Sequence, residues 1–462
     1  MTLNAKFEFF SKKIKSQMRK LQVPGVAFGI YYQGEMHTAG FGVTNIDNPL
    51  PVTPQTLFPI GSISKTFTTL LAMRFVEEGK LDLDKPIKHY SPHFRMRDPN
   101  TKNHLTMRHL LTHTGGWTGD YFQQQGEGDD ALAKVVDEIS RLPQHFPLGE
   151  FFSYNNSGFY LAGFVLQEIA KKPFETLMQE WVFDPIEMKE VYYFVNDFCS
   201  KRFTIGHEHL PDSPPAVVPL YGCGRMANPA GGIVTNIEEL LRYARIYLNK
   251  GKNDHGKKII STTSIHAMQT PQVPIYENKT DWQTMGLGWF CNEIDGVKIY
   301  SHTGGVHAQA TLLTVIPEHD FACVIATNSG VGAKLFLGLA PQIYWQYVGI
   351  HPNLPKPQTT SDGTLKSYLG TYLGAAGEKI IIDQIGKKLT LRFIHSAQVI
   401  KELKVPEKYA INPPPIEIAL VNELTWIALS NDIPGMRGEF MKDRAGNIAW
   451  MRAGRALKKI AL

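Results

Sequence analysis

Apolar residues near the start of the chain recur with the spacing of a helix. Phe7, Phe10, Ile14 and Met18 follow one another at intervals of three to four positions, which predicts a helix over residues 5–21. A Pro-Gly pair then ends the helical pattern. Two β-like apolar runs follow, and the Gln-Gly-Glu sequence between them is typical of a hairpin turn.

The pattern of the first 352 residues mixes helices with strands, and it predicts a mixed α/β domain. The predicted helices after the first are 65–78, 159–171 and 333–347. The predicted strands are 26–32, 36–43, 298–301, 309–316 and 321–327.

The pattern changes at the Pro-rich stretch 351–358, which is typical of a linker. Short β-like runs separated by turns follow it, and they predict a small antiparallel barrel or sandwich. These predicted strands are 379–383, 388–393, 417–421, 425–429, 438–441 and 448–451. We therefore divide the chain into an α/β domain, 1–352, and a C-terminal β domain, 353–462.

Composition excludes several classes of protein. Among 462 residues, 43% are hydrophobic and 20% are charged, which excludes a disordered chain, a coiled coil and a collagen-like fibre. No apolar run reaches the roughly 18–20 residues of a membrane span. The N-terminal residues lack the apolar core of a signal peptide, so we expect a cytoplasmic protein. The four cysteines are too scattered for a disulfide scaffold or a zinc site.

The positive charge is concentrated in the C-terminal part, where residues 356–462 contain 16 Lys and Arg against 10 Asp and Glu, while the net charge of the whole chain is +5. A basic segment of this kind favours an anionic partner or is simply a solvated face. Because no run of Lys and Arg is long enough for a nucleic-acid patch, we expect no nucleic-acid partner.

Ser62 and Lys65 form the first candidate site. Gly61 provides a turn before an apolar helix, so Ser62 begins that helix and Lys65 lies one turn on, on the same face. A serine hydroxyl needs a neighbouring base to act as a nucleophile, and a lysine with a lowered pKa can be that base. The alternative is a helix-capping serine beside a solvated lysine.

Two further polar motifs follow. Tyr154 offers a phenol that can carry a proton, and Asn156 offers both an acceptor and donors, although the same residues could form a polar turn before a helix. His302 is a titratable donor that precedes Thr303, and the Gly304-Gly305 pair lets backbone N–H groups approach a ligand. The alternative for this third motif is a β-bulge or turn with a surface histidine.

Taken together and in this order, Ser-x-x-Lys, Tyr-x-Asn and His-Thr-Gly resemble the motifs of serine β-lactamases and penicillin-binding proteins. The segments Thr106–Gly116 and Asn228–Thr235 also resemble segments of that superfamily. Over residues 20–350 the chain is similar to the class C β-lactamase-like hydrolases, which include peptidases and esterases. The β segment resembles the lipocalin-like extension of some peptidase-type members.

The resemblance implies a fold and a set of roles. The fold is an antiparallel sheet flanked by helices beside a helical cluster, with the site in the cleft between them. Ser62 would be the acylated nucleophile, and Lys65 and Tyr154 would share the general base and acid work. Asn156 would orient the substrate, while the backbone N–H groups of Ser62 and Gly305 would form the oxyanion hole.

The third motif departs from the family, which usually carries Lys-Thr-Gly where this chain has His302, Thr303 and Gly304. A lysine there attracts a substrate carboxylate, whereas histidine is mostly neutral at pH 7. The departure favours a peptidase or an esterase over a β-lactamase.

His104, His109 and His113 could bind a metal, the last two having the i, i+4 spacing of helical zinc ligands. Because no Glu lies between them in a His-Glu-x-x-His pattern, we expect no metal and no cofactor.

We therefore expect a serine hydrolase that forms an acyl-enzyme at Ser62 and hydrolyses an amide or ester. Its partner would be a small-molecule or peptide substrate, either a small or D-configured peptide or a carboxylic ester. A class C-type β-lactamase and a non-catalytic ligand-binding protein are the alternatives. The sequence leaves the oligomeric state and the role of the β domain open.

Overall fold

The computed structural model of the protein describes residues 1–209, 213–276, 283–351, 356–358, 365–374, 377–386, 388–394, 413–429 and 436–460. Its helices are α1 (Leu3–Leu21), α2 (Ser64–Glu77), α3 (Pro99–His104), α4 (Met107–Leu111), α5 (Ala131–Ile139), α6 (Asn156–Ala170), α7 (Phe174–Met178), α8 (Asp184–Ile186), α9 (Val195–Phe198), α10 (Asn228–Gly231), α11 (Ile237–Leu248), α12 (Thr262–Gln269) and α13 (Gly332–Val348). None of these helices is both long enough and apolar enough to cross a membrane.

The strands up to the end of the α/β part are β1 (Gly25–Tyr32), β2 (Glu35–Gly42), β3 (Phe58–Pro59), β4 (Val191–Tyr192), β5 (His207–Glu208), β6 (Ala216–Val217), β7 (Val234–Thr235), β8 (Val273–Pro274), β9 (Thr284–Met285), β10 (Phe290–Ile294), β11 (Val297–Val306), β12 (Gln309–Ile316) and β13 (Phe321–Thr327). Those that follow are β14 (Gly370–Leu373), β15 (Lys379–Ile385), β16 (Lys388–Ile394), β17 (Ile416–Leu420), β18 (Thr425–Ala428), β19 (Arg437–Lys442), β20 (Ile448–Ala453) and β21 (Arg455–Ile460).

An antiparallel sheet of eight strands forms the centre of the α/β part, in the order β2-β1-β13-β12-β11-β10-β9-β8. The N-terminal hairpin joins the C-terminal strands directly, with Val26 opposite Thr327 and Tyr32 opposite Phe321. The strands β1, β12 and β13 are buried along nearly their whole length, as expected for strands covered on both faces. This arrangement confirms the predicted antiparallel sheet flanked by helices.

Helices α1 and α13 cover one face of the sheet. The side chains of α1 that the helical spacing singled out, including Phe10 and Ile14, are the ones that it buries. They pack in one cluster with Leu339 and Ile343 of α13 and with Ile325 of the sheet. The helical pattern at the start of the chain therefore predicts both the helix and its buried face.

A helical cluster covers the opposite face, and α2 lies at its centre. The Phe67 ring on α2 stacks on the Tyr243 ring of α11 with 3.6 Å between centroids. The Tyr243 hydroxyl in turn donates to Thr66 Oγ1 at 2.9 Å. Because α2 is buried over most of its length, its first residues, Ser64 and Lys65, lie inside the protein.

The C-terminal part is a closed barrel in which β14 to β21 follow one another in chain order and β14 pairs with β21. Trp426, Phe440 and Tyr372 fill its interior. Of the two predicted architectures, a barrel or a sandwich, the structure has the barrel. The pattern missed two of its strands, β14 and β21. The domain boundary at residue 352 stays a prediction, because residues 352–355 of the predicted linker lie outside the described residues.

Strand β11 passes unusually close to the 3-10 turn Gly61–Ile63 that leads into α2. A Cβ atom placed on Gly304 would lie 1.8 Å from the Ile60 carbonyl oxygen and 3.1 Å from the Ser62 nitrogen. Only glycine lets the two backbone segments lie this close together.

Gly304→Ala should lower the free energy of unfolding by about 1–3 kcal/mol, because the added methyl group forces the two backbones apart. Gly338→Ala is the matched control, since Gly338 lies on the exposed side of α13 with no atom within 4 Å of the added methyl. The control should raise the free energy of unfolding by about 0.5–1 kcal/mol. Urea unfolding followed by circular dichroism measures both, and equal stability of the two variants would contradict the close approach.

Candidate active site

Ser62 and Lys65 face each other at the start of α2. The short strand β3 leads into the 3-10 turn Gly61–Ile63, which carries Ser62, and Lys65 follows in the first turn of α2. Lys65 Nζ lies 3.0 Å from Ser62 Oγ. It also donates a hydrogen bond to the Ala230 carbonyl at 2.8 Å. The structure therefore brings the two predicted residues within hydrogen-bond distance.

Burial makes the protonated Lys65 side chain lose its proton more easily than an ordinary lysine. Its side chain is 0% exposed, and it lies near the faces of the Tyr154 and Phe159 rings, at 5.0 and 5.6 Å from their centroids. This burial, together with the positive charge of Arg455, lowers the pKa of Lys65 from 10.5 to about 7. The negative charge of Asp120 instead raises the pKa of Lys65. A large fraction of Lys65 is consequently neutral near pH 7 and able to accept a proton.

Tyr154 completes the group around Ser62, since both residues line the same cleft and Ser62 acts on the Tyr154 hydroxyl. Its ring stacks on the His113 ring with 4.3 Å between centroids. Burial raises the pKa of Tyr154 far above its ordinary value. The phenol therefore keeps its proton at neutral pH, so it can donate a proton or relay one, but it is a poor initial base.

His113 and His109 both have structural hydrogen bonds. The Asn155 N–H donates to His113 Nδ1 at 2.9 Å, and burial holds the pKa of His113 well below its ordinary value. His109 Nδ1 accepts from the backbone N–H of Thr106 at the start of α4. Within the described ranges, no group of three His, Cys, Asp or Glu residues could hold a metal ion.

Asn156 is the first residue of α6, which the Asn155 side chain caps by accepting from the Gly158 N–H at 2.7 Å. The Asn156 amide nitrogen donates to Asp120 Oδ1 at 2.6 Å. Because a carboxylate can only accept, this bond assigns the amide nitrogen to Asp120 and makes the amide oxygen the other polar atom of the Asn156 side chain. The oxygen is an acceptor suited to a substrate N–H group.

The edge of β11 forms the other side of the cleft. Pairing of β10 with β11 ends at Ser301, and among the described residues no strand pairs with residues 302–306 on that edge. Thr303 and Gly305 are exposed there. A Cβ atom on Gly61 would lie 2.6 Å from the Gly305 nitrogen. The backbone nitrogens of Ser62 and Gly305 thus lie on segments in direct contact.

His302 cannot supply a positive charge in this structure. Its side chain is 1% exposed, and its Nδ1 bonds to the Thr303 carbonyl at 2.6 Å. Burial, together with the nearby Lys65, lowers the pKa of His302 to about 3. His302 therefore stays neutral to a lower pH than a histidine with the ordinary pKa would.

Two residues near the centre of the site were missed by sequence reasoning. Asp120 forms an ion pair with Arg455, the first residue of β21. Asp120 lies within the aromatic run 117–121, which could have drawn attention to it. Arg455 has no comparable signal, because its place in the site depends on how the barrel meets the α/β part.

These residues surround an open cleft of about 330 Å³. Ser62, Tyr154, His302, Thr303 and Gly305 line it. Ser62, Tyr154 and the free backbone edge of β11 thus face one space. The arrangement can carry out acyl transfer to a serine.

Residues 10–343 match the Beta-lactamase family. Penicillin-binding protein 4 of Amycolatopsis lactamdurans is 27% identical over 335 residues, which are 71% of this chain and 87% of that protein. Protein flp of Staphylococcus aureus strain MW2 is 23% identical over 318 residues, and the alignment spans 68% of this chain but only 61% of that protein.

Among solved structures, that of SurE has a TM-score of 0.74 at 23% identity and covers 99% of this chain and 100% of its own. The likeness thus includes the barrel as well as the α/β part. The family match extends over most of the chain, from α1 into α13. On these grounds the chain belongs to the β-lactamase family, together with the penicillin-binding proteins.

Proposed function

We propose that the protein is a serine hydrolase that forms an acyl-enzyme at Ser62 and releases it by hydrolysis. The observation that carries this proposal is the buried Lys65 amine, 3.0 Å from Ser62 Oγ and with a pKa lowered to about 7. A solvated lysine that merely followed a capping serine would be charged and could not take the proton.

Acylation would begin when neutral Lys65 takes the proton from Ser62 Oγ while this oxygen attacks the substrate carbonyl carbon. The backbone N–H groups of Ser62 and Gly305 would stabilise the resulting oxyanion. The bond to the leaving group then breaks, and the Tyr154 hydroxyl gives its proton to the leaving nitrogen or oxygen. Tyr154 then recovers a proton from Lys65, so the net result is the transfer of one proton from Ser62 to the leaving group.

Deacylation would use the same groups in the reverse direction. A water molecule attacks the acyl carbon and gives its proton through Tyr154 to Lys65. The bond from the acyl carbon to Ser62 Oγ breaks, and Lys65 returns the proton to that oxygen. The products are a carboxylic acid and the restored enzyme.

We further propose a small or D-configured peptide as the substrate, with a carboxylic ester as the second choice. The Asn156 amide oxygen suits a substrate with an N–H group, which a peptide has and a simple ester lacks. A structure of SurE was solved with D-Leu, which makes D-residues the first to be tested.

A β-lactamase is a weaker candidate. The family's lysine would attract a β-lactam carboxylate as a fixed charge, whereas His302 is buried and its lowered pKa keeps it neutral. The His302 side chain thus offers no positive charge to such a carboxylate.

Ser62→Ala should reduce turnover of a nitrophenyl ester by at least about a thousandfold, because no other group can form the acyl-enzyme. The exposed Ser200 provides a control for serine replacement, and Ser200→Ala should behave as wild type. Mass spectrometry of wild type with a slow substrate should detect the acyl adduct on the peptide that contains Ser62. Equal turnover by wild type and Ser62→Ala would favour the non-catalytic, ligand-binding alternative.

The activity should rise with pH as Lys65 loses its proton. Because the pKa of Lys65 is lowered to about 7, kcat/KM should be low in acid, reach half its plateau near pH 7 and stay high above it. Lys65→Arg should be inactive throughout, since an arginine stays protonated. A wild-type profile whose acid limb lay near the ordinary lysine pKa of 10.5 would rule out this role for Lys65.

A further inference from the structure

The hairpin between β20 and β21 lies directly against the segment that carries Tyr154. Three consecutive residues of that segment each form a hydrogen bond with it. These bonds join Arg452 Nη1 to the Phe152 carbonyl at 3.1 Å, the Ala456 N–H to Ser153 Oγ at 3.2 Å, and the Tyr154 N–H to the Gly454 carbonyl at 3.0 Å. The backbone before α6 is thus held by a strand pair from the barrel.

The hairpin is itself anchored in the barrel. Arg452 on β20 forms an ion pair with Glu439 on β19, and both side chains are 0% exposed. A buried pair of this kind is costly to break, because the remaining charge would stay buried without its partner. The point at which β20 reaches Phe152 is therefore fixed.

Arg455 extends the contact into the catalytic cleft. Its guanidinium forms an ion pair with Asp120, including a bond from Nη2 to Oδ1 at 3.1 Å. The same Asp120 oxygen accepts from the Asn156 amide at 2.6 Å. Arg455 therefore fixes the carboxylate that holds the amide nitrogen of Asn156.

Arg455 also lies over the ring of Tyr154. Its guanidinium carbon is 5.2 Å from the ring centroid, and Lys65 Nζ is 5.0 Å from the same centroid. A fixed charge this close disfavours a second charge on Lys65. The other titratable groups that act on Lys65 or surround it are Asp120, Cys223, Tyr154, His113 and His302.

We propose that the β20–β21 hairpin completes the active site and that Arg455 is its positioning residue. Arg455 holds the ring of Tyr154 and, through Asp120, the amide of Asn156, while its charge adds to the effect of burial in favouring neutral Lys65. The barrel is then part of the catalytic unit. This inference rests on the proposed serine hydrolase function.

The test compares Arg455→Gln with Asp120→Asn in the full chain. Removing the cation should raise the pKa of Lys65 and move the acid limb of kcat/KM to higher pH. Removing the anion should move this acid limb to lower pH, because the negative charge of Asp120 raises the pKa of Lys65. Arg455→Gln should also lower kcat by about tenfold to a hundredfold through loss of positioning.

Two variants separate charge from folding. Arg455→Lys should return the acid limb to its wild-type position while recovering only part of kcat, because lysine lacks the guanidinium fork. Arg444→Gln makes the same replacement at an exposed arginine of the same barrel and should match wild type. Shifts of the same sign for Arg455→Gln and Asp120→Asn, or an unshifted limb in both, would overturn the inference.

Hydrogen exchange provides a readout that does not need activity. Amides of residues 152–156 should exchange faster in Arg455→Gln than in wild type or Arg444→Gln, because the hairpin holds this segment. Unchanged exchange would overturn the positioning role. Faster exchange in a chain that hydrolyses no ester or peptide would leave that role standing and refute the proposed hydrolase function instead.

Discussion

An uncharged lysine inside a protein is the constraint on which the whole site depends. Keeping Lys65 buried beside Ser62 with a pKa lowered from 10.5 to about 7 costs about 5 kcal/mol of folding free energy at pH 7 and below. That cost declines as pH rises from 7 towards 10.5, where the unfolded lysine also loses its proton. The packed helical cluster around α2 has to offset it, and the Ala230 carbonyl gives the amine a hydrogen-bond partner.

Three parts of the fold meet around this lysine. The 3-10 turn before α2 supplies Ser62, the first turn of α2 supplies Lys65, and the free edge of β11 supplies the backbone at Gly305. The barrel adds Arg455, whose pairing with Asp120 makes the cleft sensitive to a strand far away in the sequence. The close contact at Gly304 holds the first two parts together, and the β20–β21 hairpin holds the third. Chemistry at Ser62 therefore depends on contacts between parts that the sequence places far apart.

Regular patterns predict α1, the β1–β2 hairpin and six barrel strands, because helical spacing marks the first and short apolar runs between turn residues mark the others. The pattern misses β14, which is only four residues long, and β21, whose buried Ala456 and Leu457 are adjacent and do not alternate. The three motifs predict the residues that gather around the cleft. They could not reveal the roles of Asp120 and Arg455 there, because both depend on the docking of the barrel and leave no local pattern.

The most direct test of this account is the titration of Lys65 itself. Lysine side chains labelled with ¹³C at Cε can be followed by NMR against pH, and Lys65→Arg assigns the resonance by its disappearance. The account predicts a midpoint near pH 7. A midpoint near the ordinary lysine value of 10.5 would mean that Lys65 is charged at neutral pH, and it would contradict the proposed role of Lys65 as the base for Ser62.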